Sequence, residues 1–421
     1  MSGHHKSAAK GSAAPALDTV AVHAGRDDFR QLGVHAPPLD LSTTYPVGDL
    51  AQAVHDIDAL IAGGRASTNA IYSRLANPTV DRFERAFAEL ERAEDAVSFG
   101  SGMAAITALL LAVKQAGGHV VGVRPLYGGT DHLLESRLLG LDVTWATPRT
   151  VGDAIRPDTA LVMIETPANP TLALVDIADV ARQAGRVPVA VDSTFATPVL
   201  QLPIALGAAF SVHSATKYIG GHGDVMAGVI ATSSKWAGVL RQVRILTGGV
   251  LHPMGAYMLH RGLQTLPLRV RAAQDGAREV ALHLTRHRAV ERVFYPALPG
   301  CDPTGLVGRQ MRGPGAMLSF EVRGGFDAAS AVLASVQMIT PAVSLGSADT
   351  LIEHPAGLTH RVIGQAARDE SGVTPGMLRL SMGLESARDV WRDLAHALDA
   401  AWPADAHAPA PARKQELAGA R

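Results

Sequence analysis

The stretch that decides the fold is Val187-Pro188-Val189-Ala190-Val191-Asp192-Ser193-Thr194. A near-continuous apolar run ending in a carboxylate is the pattern of a parallel strand buried on both faces, with an acid at its C-terminal end. Taken alone, Asp192 also reads as a helix cap or turn residue. The pattern recurs upstream, where 119–123, 143–146 and 160–165 are short runs rich in β-branched residues. Helical stretches such as 176–185 separate them. Residues 78–92 read as an amphipathic helix opened by Asn77-Pro78, and 102–116 as a second helix, apolar on most faces and so largely buried. Alternation of this kind predicts an α/β fold, a mostly parallel sheet with helices on both faces.

Ligands of such sheets bind outside the carboxyl ends of the strands. A second stretch reaches that edge: Phe210-Ser211-Val212-His213-Ser214-Ala215-Thr216-Lys217-Tyr218-Ile219-Gly220-Gly221-His222-Gly223-Asp224. A lysine at the end of a buried strand is desolvated, which lowers its pKa and frees its amine as a nucleophile. Such an amine can form a Schiff base with an aldehyde, including that of pyridoxal phosphate (PLP). PLP also needs a carboxylate against its ring nitrogen, and Asp192 is placed for it.

Composition narrows the class. The 421 residues are 47% hydrophobic and 18% charged, enough for a large core and two or three domains. A net charge of −1 points to neither nucleic acid nor an anionic membrane. The single cysteine, Cys301, excludes a disulfide framework within the chain and suits a reducing, cytoplasmic setting. The longest apolar run, 103–113, is too short to span a bilayer, and no secretory leader pattern opens the chain. Residues 1–16 and 403–421 read as disordered tails, with His4-His5 a solvated pair rather than a metal site. Residues 17–70 read as loop-rich, an arm against a neighbouring subunit. Beyond residue 265, strands at 317–322 and 377–382 and helices at 327–336 and 386–402 predict a smaller α+β domain. The expected division is therefore 71–264 for a large domain and 265–402 for a C-terminal one.

Other motifs gather around these two stretches. Tyr72-Ser73-Arg74, read as extended backbone, would point a phenol and a guanidinium the same way and could clamp a phosphate. Ser101-Gly102-Met103 opens the buried helix, where free N–H groups make an anion site. Tyr127 follows a strand and could stack on a ring. Arg379 sits inside Met377-Leu378-Arg379-Leu380, an apolar strand in which a charge needs an anionic partner.

The set resembles the cysteine/methionine-metabolism PLP enzymes: cystathionine γ-synthase, cystathionine and methionine γ-lyases, cystathionine β-lyase and the O-acylhomoserine sulfhydrylases. The resemblance spans about residues 17–400. It rests on the segments above with Asn77-Pro78-Thr79, Tyr127-Gly-Gly-Thr130, Glu165-Thr-Pro-Ala-Asn169-Pro170, Ser344-Leu-Gly346, His354-Pro-Ala356 and Arg379-Leu-Ser381. It implies PLP fold type I (aspartate-aminotransferase-like) and a homotetramer of catalytic dimers. In it Lys217 would bind the cofactor and shuttle protons. Asp192 would face the ring nitrogen, Tyr127 would stack on the ring and assist the leaving group, and Asn169 would lie near the ring hydroxyl. Gly102, Met103, Ser214 and Thr216 would hold the phosphate, Tyr72 and Arg74 would reach the phosphate of the partner subunit, and Arg379 with Ser344 would grip the substrate α-carboxylate.

The chain departs from each subgroup where substrate is chosen. Gly129 stands where methionine γ-lyases typically have Cys, Ile245 where they have Asp, and Val343 where cystathionine γ-lyases and γ-synthases usually have Glu. Ser344-Leu345-Gly346 replaces the Asn-Val-Gly of O-acetylhomoserine sulfhydrylases. The expectation is a γ-eliminating lyase for an L-amino acid with a small or apolar γ-substituent, a thioether by default and a halide as an unusual case. γ-Replacement on an O-acylhomoserine and a non-catalytic PLP-fold binding protein are the alternatives.

Overall fold

The structure, a computed structural model, describes residues 15–66 and 68–402. The tails expected at 1–16 and 403–421 lie outside the described residues, apart from Pro15 and Ala16.

Seven strands form the larger sheet: β1 (Asp95–Phe99), β2 (His119–Val123), β3 (Asp142–Ala146), β4 (Thr159–Glu165), β5 (Val189–Asp192), β6 (Phe210–Ser214) and β7 (Gly228–Thr232). Their order is β1-β7-β6-β5-β4-β2-β3, and only β7 runs against its neighbours. Every residue of β2, β4 and β5 is buried, which is why these strands read as unbroken apolar runs rather than alternating ones. On one face the apolar helix Gly102–Lys114 packs Leu109 and Val113 with Val97, Leu161, Phe210 and Ile230. On the other, helix Ile177–Ala184 buries Ile177 and Val180 against Val121, Val162 and Val191.

Helix Pro78–Glu91 begins where its sequence says. The Asn77 side chain accepts the Thr79 and Val80 N–H groups, and Pro78, which has no N–H to satisfy, occupies the first turn. Ser101 caps Gly102–Lys114 in the same way through Ala104 N–H (3.0 Å), so the N–H groups of Gly102 and Met103 point outward from the helix start.

The smaller sheet has β8 (Val290–Phe294), β9 (Met317–Val322), β10 (Thr340–Pro341), β11 (Leu351–Glu353) and β12 (Met377–Ser381), in the order β10-β11-β12-β9-β8. Apart from the parallel β10–β11 pair it is antiparallel. Helices Gly325–Ser335 and Ala387–Ala401 bury Val332, Val390, Leu394 and Leu398 with its Leu318, Phe320 and Leu378. The division expected at 264/265 falls between helices Pro253–Leu263 and Leu266–Leu284.

One local expectation is refined and another corrected. The segment 17–70 is loop-rich but not loop alone: it also holds helices Leu17–His23, Phe29–Leu32 and Leu50–Ile61. The third is capped by the Asp49 carboxylate and buries only Ala53, Asp56 and Leu60, a stripe too narrow to stand out as periodic. The Tyr72–Arg74 segment is not extended. It turns, with Leu75 N–H bonding Tyr72 C=O (2.8 Å), and the turn itself carries the Arg74 guanidinium to 5.7 Å from the Tyr72 ring.

Candidate active site

A cavity of about 560 Å³ opens at the C-terminal ends of β4, β5 and β6. Its lining draws on Ser344, Leu358 and Arg379 from the side of the smaller sheet. Eleven of the residues singled out in the sequence line it: Gly102, Met103, Tyr127, Asn169, Asp192, Ser214, Thr216, Lys217, Val343, Ser344 and Arg379.

Lys217 lies just past β6 and donates from Nζ to Ser344 Oγ (2.6 Å). Burial, reinforced by the Arg379 charge, pulls its pKa down from 10.5 to about 8. Asp192 ends β5 and accepts Thr194 N–H (3.0 Å) and Thr194 O–H (2.6 Å), both on Oδ1. Both readings of Asp192 therefore hold: it makes a turn bond and presents its carboxylate to the cavity. Its pKa is raised by burial, against which the Thr194 bonds act. Thr194 Oγ1 also accepts Ser214 N–H (2.9 Å), tying the ends of β5 and β6 together.

Arg379 answers the demand for an anion. Its guanidinium pairs with Glu353 (2.7 Å), the residue directly opposite on β11, and donates to Asn169 Oδ1 (2.8 Å) and Ser344 C=O (2.8 Å). Thr216 lines the cavity, but its hydroxyl is engaged both ways with the Ala227 backbone, accepting at 2.9 Å and donating at 3.2 Å. Among hydroxyls offered to an anion, Ser214 is thus the freer.

Three candidates fall outside the lining. Tyr72 is partly exposed, and Arg74 donates to Ile245 C=O (2.9 Å). Gly129 sits one layer back, where a Cβ would come 2.7 Å from the Tyr127 ring and 3.0 Å from Met103 Sδ.

Two carboxylates were not singled out as site residues. Glu165 ends the apolar run of β4 as Asp192 ends that of β5, and the two are partners in register. The signal that found Asp192 would have found it. Its oxygens accept Tyr127 N–H (2.6 Å) and Asn169 N–H (2.8 Å), so one side chain sets two cavity residues. Burial and the Asp192 charge push its pKa well above the carboxylate range. Glu353 gave no signal, because β11 is only three residues long.

The residues present fit PLP. The lining supplies a lysine amine of lowered pKa and a buried carboxylate that, among the described residues, has no cation as a hydrogen-bond partner. Across the cavity stands a helix N-terminus where a Cβ on Gly102 would meet Ser214 at 3.1 Å. Those are the groups that an aldehyde, a ring nitrogen and a phosphate require. A mostly parallel sheet carrying them at its carboxyl edge defines a PLP-dependent enzyme of fold type I.

Residues 18–399 match the Cys/Met metabolism PLP-dependent enzymes, and the chain belongs to that family. It is 55% identical over 386 residues to the L-methionine gamma-lyase of Brevibacterium sandarakinum, covering 91% of this chain and 97% of that one. It is 54% identical over 391 residues to the L-methionine gamma-lyase of Streptomyces avermitilis, covering 92% and 90%. Among solved structures it is similar to cystathionine gamma synthase from Xanthomonas oryzae pv. oryzae, with a TM-score of 0.85 at 35% identity over 92% of this chain and 99% of that one. Among the described residues no helix is long and apolar enough to cross a membrane.

Proposed function

We propose that the chain is a γ-lyase that releases a thiol from an L-amino acid with an apolar γ-substituent, L-methionine first among them. The observation that carries the reading is the charge inventory of the cavity. Its charged lining residues are Glu165, Asp192, Lys217 and Arg379, while Met226, Val343 and Leu358 are apolar and exposed there. Lys217, Asp192 and Arg379 each have a task at the cofactor or at the α-carboxylate. Glu165, its pKa pushed well above the carboxylate range, is taken up by the Tyr127 and Asn169 N–H groups, so among the described residues no charge is left for a second polar head group, as cystathionine would bring. The departure at Ile245 does not weigh against methionine. Position 245 holds Arg74 through its backbone carbonyl, which needs no carboxylate side chain.

PLP, when bound, supplies the electron sink that makes the substrate Cα proton removable. Lys217, half neutral near pH 8, would take that proton, give it up to the cofactor and, neutral again, take one from Cβ, which lets the sulfur leave Cγ. Tyr127, its pKa raised by burial and the Glu165 charge, keeps its phenolic proton at neutral pH and can deliver it to the departing thiolate. Arg379 would hold the α-carboxylate, and Ser214 with the Gly102 and Met103 N–H groups would hold the phosphate. One water is consumed in replacing nitrogen by oxygen at Cα, and the products are a thiol, ammonia and a 2-oxo acid.

In the same reading 71–264 is the cofactor-binding domain and 265–402 the C-terminal domain. Residues 17–70 are an arm against a partner subunit, to whose phosphate Tyr72 and Arg74 reach. The assembly is a homotetramer in the cytoplasm, and a fully active monomer would refute the role given to Tyr72 and Arg74.

The test is a panel of L-methionine, L-homocysteine, L-cystathionine and a γ-halo amino acid, with products identified by mass. A 2-oxo acid and ammonia from methionine without added thiol is expected. Turnover only of an O-acylhomoserine, and only with a thiol present, would assign γ-replacement instead. A protein that takes up no PLP would be a binding protein.

A further inference from the structure

We propose that Glu353 sets how firmly Arg379 grips the substrate α-carboxylate, because it holds the Arg379 charge before any substrate arrives. The inference rests on the assignment of Arg379 to the carboxylate, made above. Glu353 and Arg379 face each other across β11 and β12 at 2.7 Å, with side chains 1% and 2% exposed. Thr359, itself in the cavity lining, donates its hydroxyl to Glu353 Oε1 (2.9 Å). The pair is saturated on one side only: among the described residues, Glu353 Oε2 and Arg379 Nε have no hydrogen-bond partner.

A single buried cation shared by two carboxylates cannot satisfy both as well as one. The incoming carboxylate therefore competes with Glu353, and part of its attraction to Arg379 is cancelled by repulsion from Glu353. The consequence reaches product release. The 2-oxo acid keeps the same carboxylate as the substrate, so a site that bound it at full strength would slow its departure without helping the chemistry. Glu353 is a specificity and affinity residue in this sense. It touches Arg379 and need not touch substrate.

Glu353→Gln is close to isosteric. Its Oε1 can keep both accepted bonds, and its new N–H₂ falls where Oε2 has no partner. The experiment measures Kd on the PLP-loaded enzyme through the change in visible absorbance. The probes are L-norleucine, which has methionine's shape without a leaving group, and L-norleucinamide, which lacks the carboxylate. Wild type should prefer the acid over the amide. Glu353→Gln should tighten L-norleucine about tenfold, the scale of one partly screened charge a few ångströms away, and leave the amide within about twofold.

An L-norleucine Kd that is unchanged or weaker in Glu353→Gln, with the preference intact in wild type, overturns the proposal alone. No preference for acid over amide in wild type removes the Arg379 grip itself. If Glu353→Gln does not load PLP, Thr359→Val decides. Losing the hydroxyl leaves the full Glu353 charge to Arg379 and should weaken L-norleucine, and not the amide, at least about twofold; equal effects on both would overturn the proposal.

Discussion

Mixing PLP-free protein with PLP across pH 6 to 10 reads the state of the Lys217 amine directly. Only the neutral amine attacks the aldehyde. With a pKa of about 8, about one Lys217 in ten is neutral at pH 7, against about three in ten thousand for an ordinary lysine, a difference of roughly 300-fold. The rate of cofactor uptake, followed by stopped-flow absorbance, should therefore flatten at about pH 8 instead of climbing tenfold per unit towards pH 10. The causes can be ranked as well. Burial is the larger and the Arg379 charge the smaller, so Arg379→Gln should move the inflection upward yet leave it below the ordinary 10.5. Two results would refute the reasoning: an uptake rate still rising tenfold per unit beyond pH 9, or cofactor fixed to protein by borohydride reduction in Lys217→Ala.

Asp192→Asn keeps an acceptor for Thr194 but removes the charge proposed to face the ring nitrogen. It should cost about 10²-fold or more in kcat with little change in thermal midpoint, measured by 2-oxo acid release and a melting curve. Glu84 is buried, which disfavours its charge, yet the Arg244, Arg65 and Arg241 charges bring its pKa to about 2, below its ordinary 4.5. A depressed carboxylate stabilises the fold above pH 4.5 and loses that contribution as pH falls towards 2. Glu84→Gln should thus be about 3 kcal/mol less stable near pH 7 by denaturant unfolding, with the gap to wild type closing through that window. Gly221→Ala places a Cβ 2.0 Å from Arg269 Nη1 at a φ of +75°, and Arg269 holds Tyr218 C=O (2.7 Å), next to Lys217. A loss of at least about 2 kcal/mol in unfolding free energy is expected, larger than the left-handed penalty alone.

The larger sheet was legible because burial on both faces writes continuous apolar runs into the chain. The boundaries of β2 fall where its β-branched run does, and Asp192 could be placed at a strand end from its neighbours. Asn77-Pro78 and Ser101-Gly102 marked two helix starts because capping is a local matter, settled within four residues. Helix Leu50–Ile61 was not legible: a helix that buries three residues leaves too little periodicity, and Asp49 caps it in a segment that otherwise reads as turns. Tyr72 and Arg74 lie side by side, but through a turn rather than the extended strand their spacing suggested.

The division between chain and fold is clearest at Arg379. An arginine within Met377-Leu378-Arg379-Leu380 announces that an anion must be near, since a lone buried charge is not tolerated, but not which one. Glu353 is 26 residues away and on another strand, and only the register of β11 on β12 sets the two face to face. The same holds for Glu165, whose place at the end of β4 is a local property while its grip on both Tyr127 and Asn169 is not. Local patterns of burial and capping settle where strands and helices lie, because each involves neighbours along the chain. Which charges meet, and hence how strongly this site holds its substrate, depends on contacts between segments far apart in sequence, and those exist only once the two sheets are assembled around the cavity.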